Sequence, residues 1–440
     1  MTITFIGHGY VGLVTATVLA DFGNKVWVVG HTKEKLDRLK KGDPIIYEPG
    51  LKELLQKNLK ANRILFTSDY SKAIPESDVV FIAVGTPPKN GGEADLSAVF
   101  KVAEKLGKHI KPGFTLVSCK STVPVGTNIK VETILKKVKS KKAEVAVASC
   151  PEFLREGSAI YDTLNPDRVV IGSDSKKAID KLLELHHPIS GKRVITDLAS
   201  AELIKYTSNA MLATKISFAN LISFYCEKTG ADVENVLDAV GIDKRIGRIF
   251  MDPGVGYGGS CLPKDVNALI KIGESLDIDT SYLKGVVNVN SLSRSNFTNK
   301  ILNVVKDKKI AIWGLSFKPN TDDIREAPSF YLINELLEKG YSIRVYDPAA
   351  MENFKKIYGK KIQFGKDPYG VLKNASALII LTEWNEFKQV DLKKIKKLLK
   401  KPVIFDGRNI FEPKVMENFG FSYFSVGRKA ISPPRHSEGV

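Results

Sequence analysis

Thr2-Ile-Thr-Phe-Ile6-Gly7-His-Gly9-Tyr-Val-Gly12 is the stretch that decides the fold. Thr2–Ile6 is a β-branched run. The glycines then open a helical stretch to Phe22, Gly23-Asn24 breaks it, and Lys25–Val29 is a second apolar run. Strand, glycine turn, helix and strand within about 30 residues is the spacing of a mononucleotide-binding βαβ unit. Gly7 allows the tight turn, Gly9 lets backbone approach a pyrophosphate, and Gly12 lets helix pack on strand. The helix N-terminus then faces the phosphates.

Outward from that unit, apolar runs recur at Val79–Val84, Thr115–Ser118, Val145–Ala148 and Arg168–Ile171, with helical segments between them. Such alternation predicts a mostly parallel sheet with both faces covered. From Ala199 to Lys228 there is no Gly or Pro, and Gly230 follows, which predicts one long connecting helix. A helical region runs on to about Thr298. A second α/β series then begins at Lys309–Trp313, with strands at Ser342–Tyr346, Ala377–Leu381 and Val403–Phe405 and a helix at Ser329–Lys339. No GxGxxG follows its first strand. The lysines from Lys393 to Lys401 interleave with Leu392, Ile395 and Leu399, the pattern of an amphipathic helix with a solvated basic face. The expected class is α/β: two Rossmann-like parallel-sheet domains joined by a long helix and a helical dimerisation domain. The expected boundaries are 1–196, 197–298 and 299–430, with a flexible tail at 431–440.

Composition narrows the function. The chain has 440 residues, 43% hydrophobic and 26% charged, which excludes a disordered chain. Its 66 Lys and Arg against 49 Asp and Glu leave a net charge of +17, which would suit nucleic acid or a phosphorylated small molecule. No nucleic-acid-binding motif accompanies the charge, and composition alone favours lysines on solvated helix faces over either partner. Cys119, Cys150, Cys226 and Cys261 form no CxxC pair, so neither a disulfide framework nor a zinc site is expected, and no metal. No signal peptide and no apolar run of about 18 residues is present, so a cytoplasmic protein without a membrane span is expected.

Chemistry concentrates at Gly258-Gly-Ser-Cys261-Leu-Pro-Lys264-Asp265, a glycine-rich run delivering a thiol with a cation and a carboxylate close after it. A neighbouring lysine favours the thiolate, which makes Cys261 a candidate nucleophile. Cys119, Cys150 and Cys226 sit in apolar surroundings and read as inert. Lys205 and Asn209 are four apart on the long helix and share a face. Glu152-Phe-Leu-Arg-Glu156-Gly157 follows the Val145–Ala148 strand, at the end where open α/β sheets bind ligands. Lys318-Pro-Asn-Thr-Asp-Asp-Ile-Arg325 follows the Lys309 strand in the same way.

These residues resemble the UDP-glucose/GDP-mannose dehydrogenase family. The resemblance rests on eight blocks in order: Gly7–Gly12, Val84–Pro88, Ser121–Gly126, Glu152–Gly157, Leu164–Arg168, Glu202–Asn209, Gly258–Asp265 and Phe317–Arg325. Glu156–Ile160 and Gly256–Cys261 look like its UDP-glucose branch, whereas Leu262 is seen more in the GDP-mannose branch. UDP-glucose is therefore the expected substrate, with GDP-mannose or another UDP-hexose as the alternative. The resemblance implies a four-electron oxidation of the sugar C6 alcohol to a carboxylate through a Cys261 thiohemiacetal and thioester. It gives Lys205 and Asn209 to oxyanion stabilisation, Thr122 and Asp265 to positioning water and protons, and Glu152 to thioester hydrolysis. Cofactor contacts would fall on Gly7, Gly9, Tyr10, Val11, Gly12, Gly30, His31, Thr32, Lys35, Gly85, Thr86, Thr122, Glu156, Lys264 and Arg325. The nucleotide sugar would meet Glu152, Phe153, Leu154, Arg155, Glu156, Lys205, Asn209, Phe250, Gly254, Tyr257, Gly258, Phe317, Lys318 and Arg408. Arg245 matches a residue that reaches a partner's site, which implies a homodimer or a higher oligomer.

One departure bears on the cofactor. The family usually ends its second strand with Asp, which bonds the adenosine ribose. Here that position is Gly30, followed by His31-Thr32-Lys33. NAD is implied by resemblance, and these residues would also admit the 2′-phosphate of NADP. The contrasting reading, an inactive nucleotide-sugar-binding regulator, is opposed by the intact Thr122, Glu152, Lys205, Asn209, Cys261 and Asp265.

Overall fold

The opening run forms the expected unit: β1 (Thr2–Ile6), a helix at Tyr10–Asp21, then β2 (Lys25–Val29). In this computed structural model, which describes residues 1–431, the first sheet continues with β3 (Ile64–Thr67), β4 (Val79–Ile82), β5 (Gly113–Cys119), β6 (Ala143–Ser149), β7 (Arg168–Gly172) and β8 (Lys192–Thr196). Its order is β3-β2-β1-β4-β5-β6-β7-β8. The first six strands are parallel. β7 and β8 are parallel to each other, and β7 joins β6 by an antiparallel pairing of Ser149 with Gly172.

Both faces are covered, as near-continuous apolar strands require. Ile3, Phe5, Val26, Val28 and Phe81 enter one core, whereas Ile6, Val29, Val80, Ile82 and Val117 enter the other. Each fully buried side chain of this size contributes about 1.5–3 kcal/mol.

The second sheet contains β9 (Lys309–Trp313), β10 (Ser342–Tyr346), β11 (Gln363–Phe364), β12 (Ala377–Ile380), β13 (Val403–Asp406) and β14 (Ser422–Phe424). Its order, β11-β10-β9-β12-β13-β14, repeats the first six positions of the other sheet, and every pairing is parallel. Ile310 and Ile312 face one core, Ala311 and Trp313 the other.

Between β8 and β9 in the chain come the expected long helix, Leu198–Thr229, and helices at Val233–Ile242, Leu262–Ser275 and Ser281–Val304. The basic helix spans Leu392–Leu398, started by the Asp391 side chain accepting from Lys394 N. It is shorter than its sequence pattern, because Leu399 turns extended and leaves Lys400 and Lys401 beyond it. The chain divides into two compact units, Met1–Ser208 with Asn267–Ser275, and Asn209–Val266 with the chain from Leu276 on. Apart from Ile431, the tail expected at 431–440 lies outside the described residues.

Candidate functional site

In the first unit, the carboxyl ends of β1, β2, β4, β5 and β6 carry the candidate residues. The strand order reverses between β1 and β4, where such sheets bind ligands. Gly7 has φ +115°, and a Cβ on it would collide with Ala83 O; a Cβ on Gly12 would collide with Gly7 O. Gly9 caps the helix and has nothing within 4 Å of where its Cβ would be, so its backbone is open to a ligand. A tightly seated turn with an open middle residue at a helix N-terminus fits the pyrophosphate of a dinucleotide. Thr86 donates to Thr122 O at 2.9 Å, and Ser121 Oγ to Val84 O at 2.7 Å, tying Gly85–Thr86 to the loop after β5. At the end of β2, Gly30 is buried, whereas His31 and Lys35 are exposed and Thr32 half-buried.

Glu152 and Lys205 meet in the same unit: Lys205 Nζ lies 3.4 Å from Glu152 Oε1, with both side chains buried. Glu152 Oε2 accepts from Leu154 N. The Phe153 ring carries Lys205 Nζ 5.2 Å and Arg168 Cζ 4.0 Å from its centroid. The ammonium is therefore held by a carboxylate and an aromatic face, a fixed donor of the kind that stabilises developing negative charge. Arg155 instead forks onto Asp162, at 3.0 and 2.7 Å. Half-buried Glu156 lies on the loop after β6, beside Leu154, which packs on the core.

In the second unit, Cys261 is the residue before the helix Leu262–Ser275. It is exposed, while Cys119, Cys150 and Cys226 are buried, and none is in a disulfide. Burial pushes the Cys119 thiol up to about 12 and raises that of Cys226, so neither is a thiolate near neutrality. A sulfur at a helix N-terminus has the opposite setting, since the helix dipole favours negative charge there. Asp265, 1% exposed, accepts from Asn209 Nδ2 at 2.5 Å and from Lys264 Nζ, and its N–H donates to Cys261 O at 2.9 Å. Lys264 thus neutralises a buried carboxylate as well as lying next but two to the thiol.

The loops at the carboxyl ends of β9 and β13 gather the other expected residues of this unit. Arg408 Nε donates to Leu381 O at 2.9 Å and lies 3.4 Å from Glu383 Oε2. A Cβ on Gly254 would sit 3.1 Å from Arg408 Nη1, and one on Gly259 2.7 Å from the Phe317 ring. Lys318 Nζ lies 5.6 Å from the same ring's centroid. Arg325 forks onto Asp323, and its carbonyl accepts from Gly259 N at 2.9 Å. Tyr257 is buried and Gly258 packs on Glu326 O. Phe250 holds φ +65°, strain of the sort found at ligand-binding loops. Arg245 pairs with Asp243 among exposed Ile242, Ile246 and Ile249, and no other candidate residue is joined to it.

Sequence reading missed the residues that hold these loops. Buried Glu48 accepts from Tyr10 Oη, Gly157 N and Ala159 N, the last two at 2.7 Å. Buried Glu202 accepts from Gly126 N and Asn128 N, both at 2.7 Å. Asn220 Oδ1 accepts from Gly254 N, and Asn290 Oδ1 from Tyr257 N, both at 2.7 Å. Glu48, Asn220 and Asn290 are lone polar residues with no motif around them. Glu202, inside a matched block, carried the only signal.

Comparison with known proteins agrees with both halves. Residues 1–190 match the NAD binding domain of the UDP-glucose/GDP-mannose dehydrogenase family, 199–292 its central domain and 311–413 its UDP binding domain. The UDP-glucose 6-dehydrogenase TuaD of Bacillus subtilis is 46% identical over 98% of this chain and 94% of its own. A UDP-glucose 6-dehydrogenase of Rhizobium meliloti is 43% identical over 97% of this chain and 100% of its own. The structure of a UDP-glucose dehydrogenase from Pyrobaculum islandicum superposes with a TM-score of 0.90 at 37% identity, covering 97% of this chain and 98% of that one. With the glycine turn, the thiol before its helix and the paired ammonium all in matching segments, the chain belongs to the UDP-glucose/GDP-mannose dehydrogenase family.

Proposed function

We propose that the chain is a UDP-glucose 6-dehydrogenase that oxidises the sugar C6 alcohol to a carboxylate in two steps. The observation that carries this is Cys261, exposed before a helix whose first turn holds the buried Asp265 with Asn209 and Lys264. A bound nicotinamide supplies a hydride acceptor for each oxidation. The remaining chemistry belongs to side chains. Cys261 Sγ adds to the C6 aldehyde to give a thiohemiacetal, whose oxidation leaves a thioester, and water releases the acid and the thiol. Lys205 and Asn209 stabilise the oxyanion, Thr122 and Asp265 position water and protons, and Glu152 takes the proton of the hydrolytic water. Glu152 bridges Lys205 at 3.4 Å, so proton uptake by its carboxylate would also release the ammonium.

In this reading 1–196 binds NAD, 197–298 mediates dimerisation and 299–430 binds the UDP-sugar. The homodimer is supported by the exposed apolar residues Met211, Tyr225, Ile242 and Ile249 of the helical middle. Among the described residues no helix is long and apolar enough to cross a membrane, and the enzyme is proposed to work in the cytoplasm. The test is absorbance of the reduced nicotinamide with UDP-glucose, UDP-GlcNAc, UDP-galactose and GDP-mannose. Two equivalents per UDP-glucose support the assignment, and turnover of another sugar alone replaces it.

A further inference from the structure

The glycine loop contains a side chain that the oxidation does not use. A Cβ on Gly30 would collide with His8 Cδ2 and lie 2.8 Å from His8 Nε2. The imidazole therefore fills the space that a side chain at the end of β2 would take. His8 is 9% exposed, and its Nε2 is buried with no hydrogen-bond partner. Buried polar atoms are rarely left so unless something else completes them. The His31 ring stacks against it, centroids 6.1 Å apart. Burial first, then Lys35 and His31, hold the His8 imidazole below its usual proton affinity. Glu34, exposed in the same helical turn, acts on Arg38. The second strand thus ends beside two imidazoles and an ammonium, with no carboxylate from residue 30.

We propose that His8, His31 and Lys35 form the adenosine-ribose site and accept a 2′-phosphate there, so that the chain binds NADP as well as NAD. This rests on reading Gly7–Gly12 as a dinucleotide loop. A carboxylate at this position accepts from the ribose hydroxyls and repels a 2′-phosphate. Its absence removes the repulsion, and the exposed Lys35 supplies charge and His31 a ring nitrogen to meet the anion. Binding needs only that the His8 ring turn from the Gly30 backbone, and Nε2 has no hydrogen bond to give up. A side chain at 30 and the present position of the His8 ring exclude each other, so a residue with a Cβ at 30 requires the ring to turn or a smaller side chain at 8.

Calorimetry of the full chain with NAD, NADP, 5′-ADP, 2′,5′-ADP and inorganic phosphate tests this without turnover. NAD and NADP should bind within about tenfold of each other, 2′,5′-ADP more tightly than 5′-ADP, and phosphate alone weakly. Lys35→Ala, at an exposed position, should weaken NADP and 2′,5′-ADP by about tenfold more than it weakens NAD and 5′-ADP. Gly30→Asp alone should bind neither dinucleotide well. The pair His8→Ala with Gly30→Asp should bind NAD and discriminate against NADP by about a hundredfold. Thermal melts report whether each variant is folded. Binding of NAD without NADP or 2′,5′-ADP overturns this inference alone, as does an equal loss of both dinucleotides in Lys35→Ala. Failure of the unaltered chain to bind NAD overturns the dinucleotide reading beneath it.

Discussion

Cys261 and Lys205 are the residues on which the proposed chemistry depends most. Cys261→Ser should lower turnover of UDP-glucose by at least about a thousandfold with an unchanged melting temperature. Lys205→Ala should cost about a hundred- to a thousandfold in kcat; a change confined to KM would assign the ammonium to binding instead. Another buried group sets acid stability. Burial, with Lys120 and Arg193 nearby, pushes His186 down to about 3, and Leu182 O lies 2.8 Å from its Nδ1. The unfolded chain takes up this proton below about 6.5, whereas the folded one does not until about 3. Its contribution is therefore complete above 6.5 and declines on acidification at up to about 1.4 kcal/mol per pH unit. His186→Asn should flatten unfolding free energy against pH between 6.5 and 4; parallel curves would remove the histidine from the account.

Segments differ in how much of them was written in composition and spacing. The buried strands β1, β2, β4, β9 and β12 were legible because both their faces are apolar. β3, β8, β11 and β14 were not: they are sheet edges, and Gln363–Phe364 is too short to show any period. At the site, the glycine turn and Cys261 could be read, because a fixed local geometry surrounds them, whereas the spacing of Lys205 and Asn209 alone did not set them apart from a solvated helix face. Glu48, Glu202 and His8 act through backbone brought close only by folding. The two sheets show this contrast at one topological position. Asp347 follows β10 and is consumed by the loops after β9 and β12, accepting from Leu315 N at 2.7 Å and Trp384 Nε1 at 3.1 Å, whereas β2 is followed by Gly30. Glu202 supports a prediction at this scale. Burial raises its proton affinity, yet three N–H groups point at its oxygens. An amide cannot accept all three, so Glu202→Gln should destabilise the first unit by about 1–3 kcal/mol. A denaturant midpoint equal to the parent's would show that the loop after β5 needs no such anchor.

Across the whole molecule, the +17 charge is better explained by lysines on solvated helix faces than by a polyanion site. The apolar exposure is concentrated in the helical middle, where Ile242 is 81% and Ile249 79% exposed. Ile242→Asp with Ile249→Asp should convert the proposed dimer to monomer by light scattering; an unchanged mass would place the interface elsewhere. A different hazard is handled at the sheet margins. β8 begins with Lys192-Arg193, β11 is two residues long, and β14 is bridged by Ile431, whose N–H and carbonyl pair with Tyr423 at 2.9 and 2.8 Å. That last bridge is a stopper against polymerisation. A chain ending at Ala430 would leave the Tyr423 amide and carbonyl open to a neighbouring molecule's strand, and insoluble protein would accumulate on storage before any activity was lost.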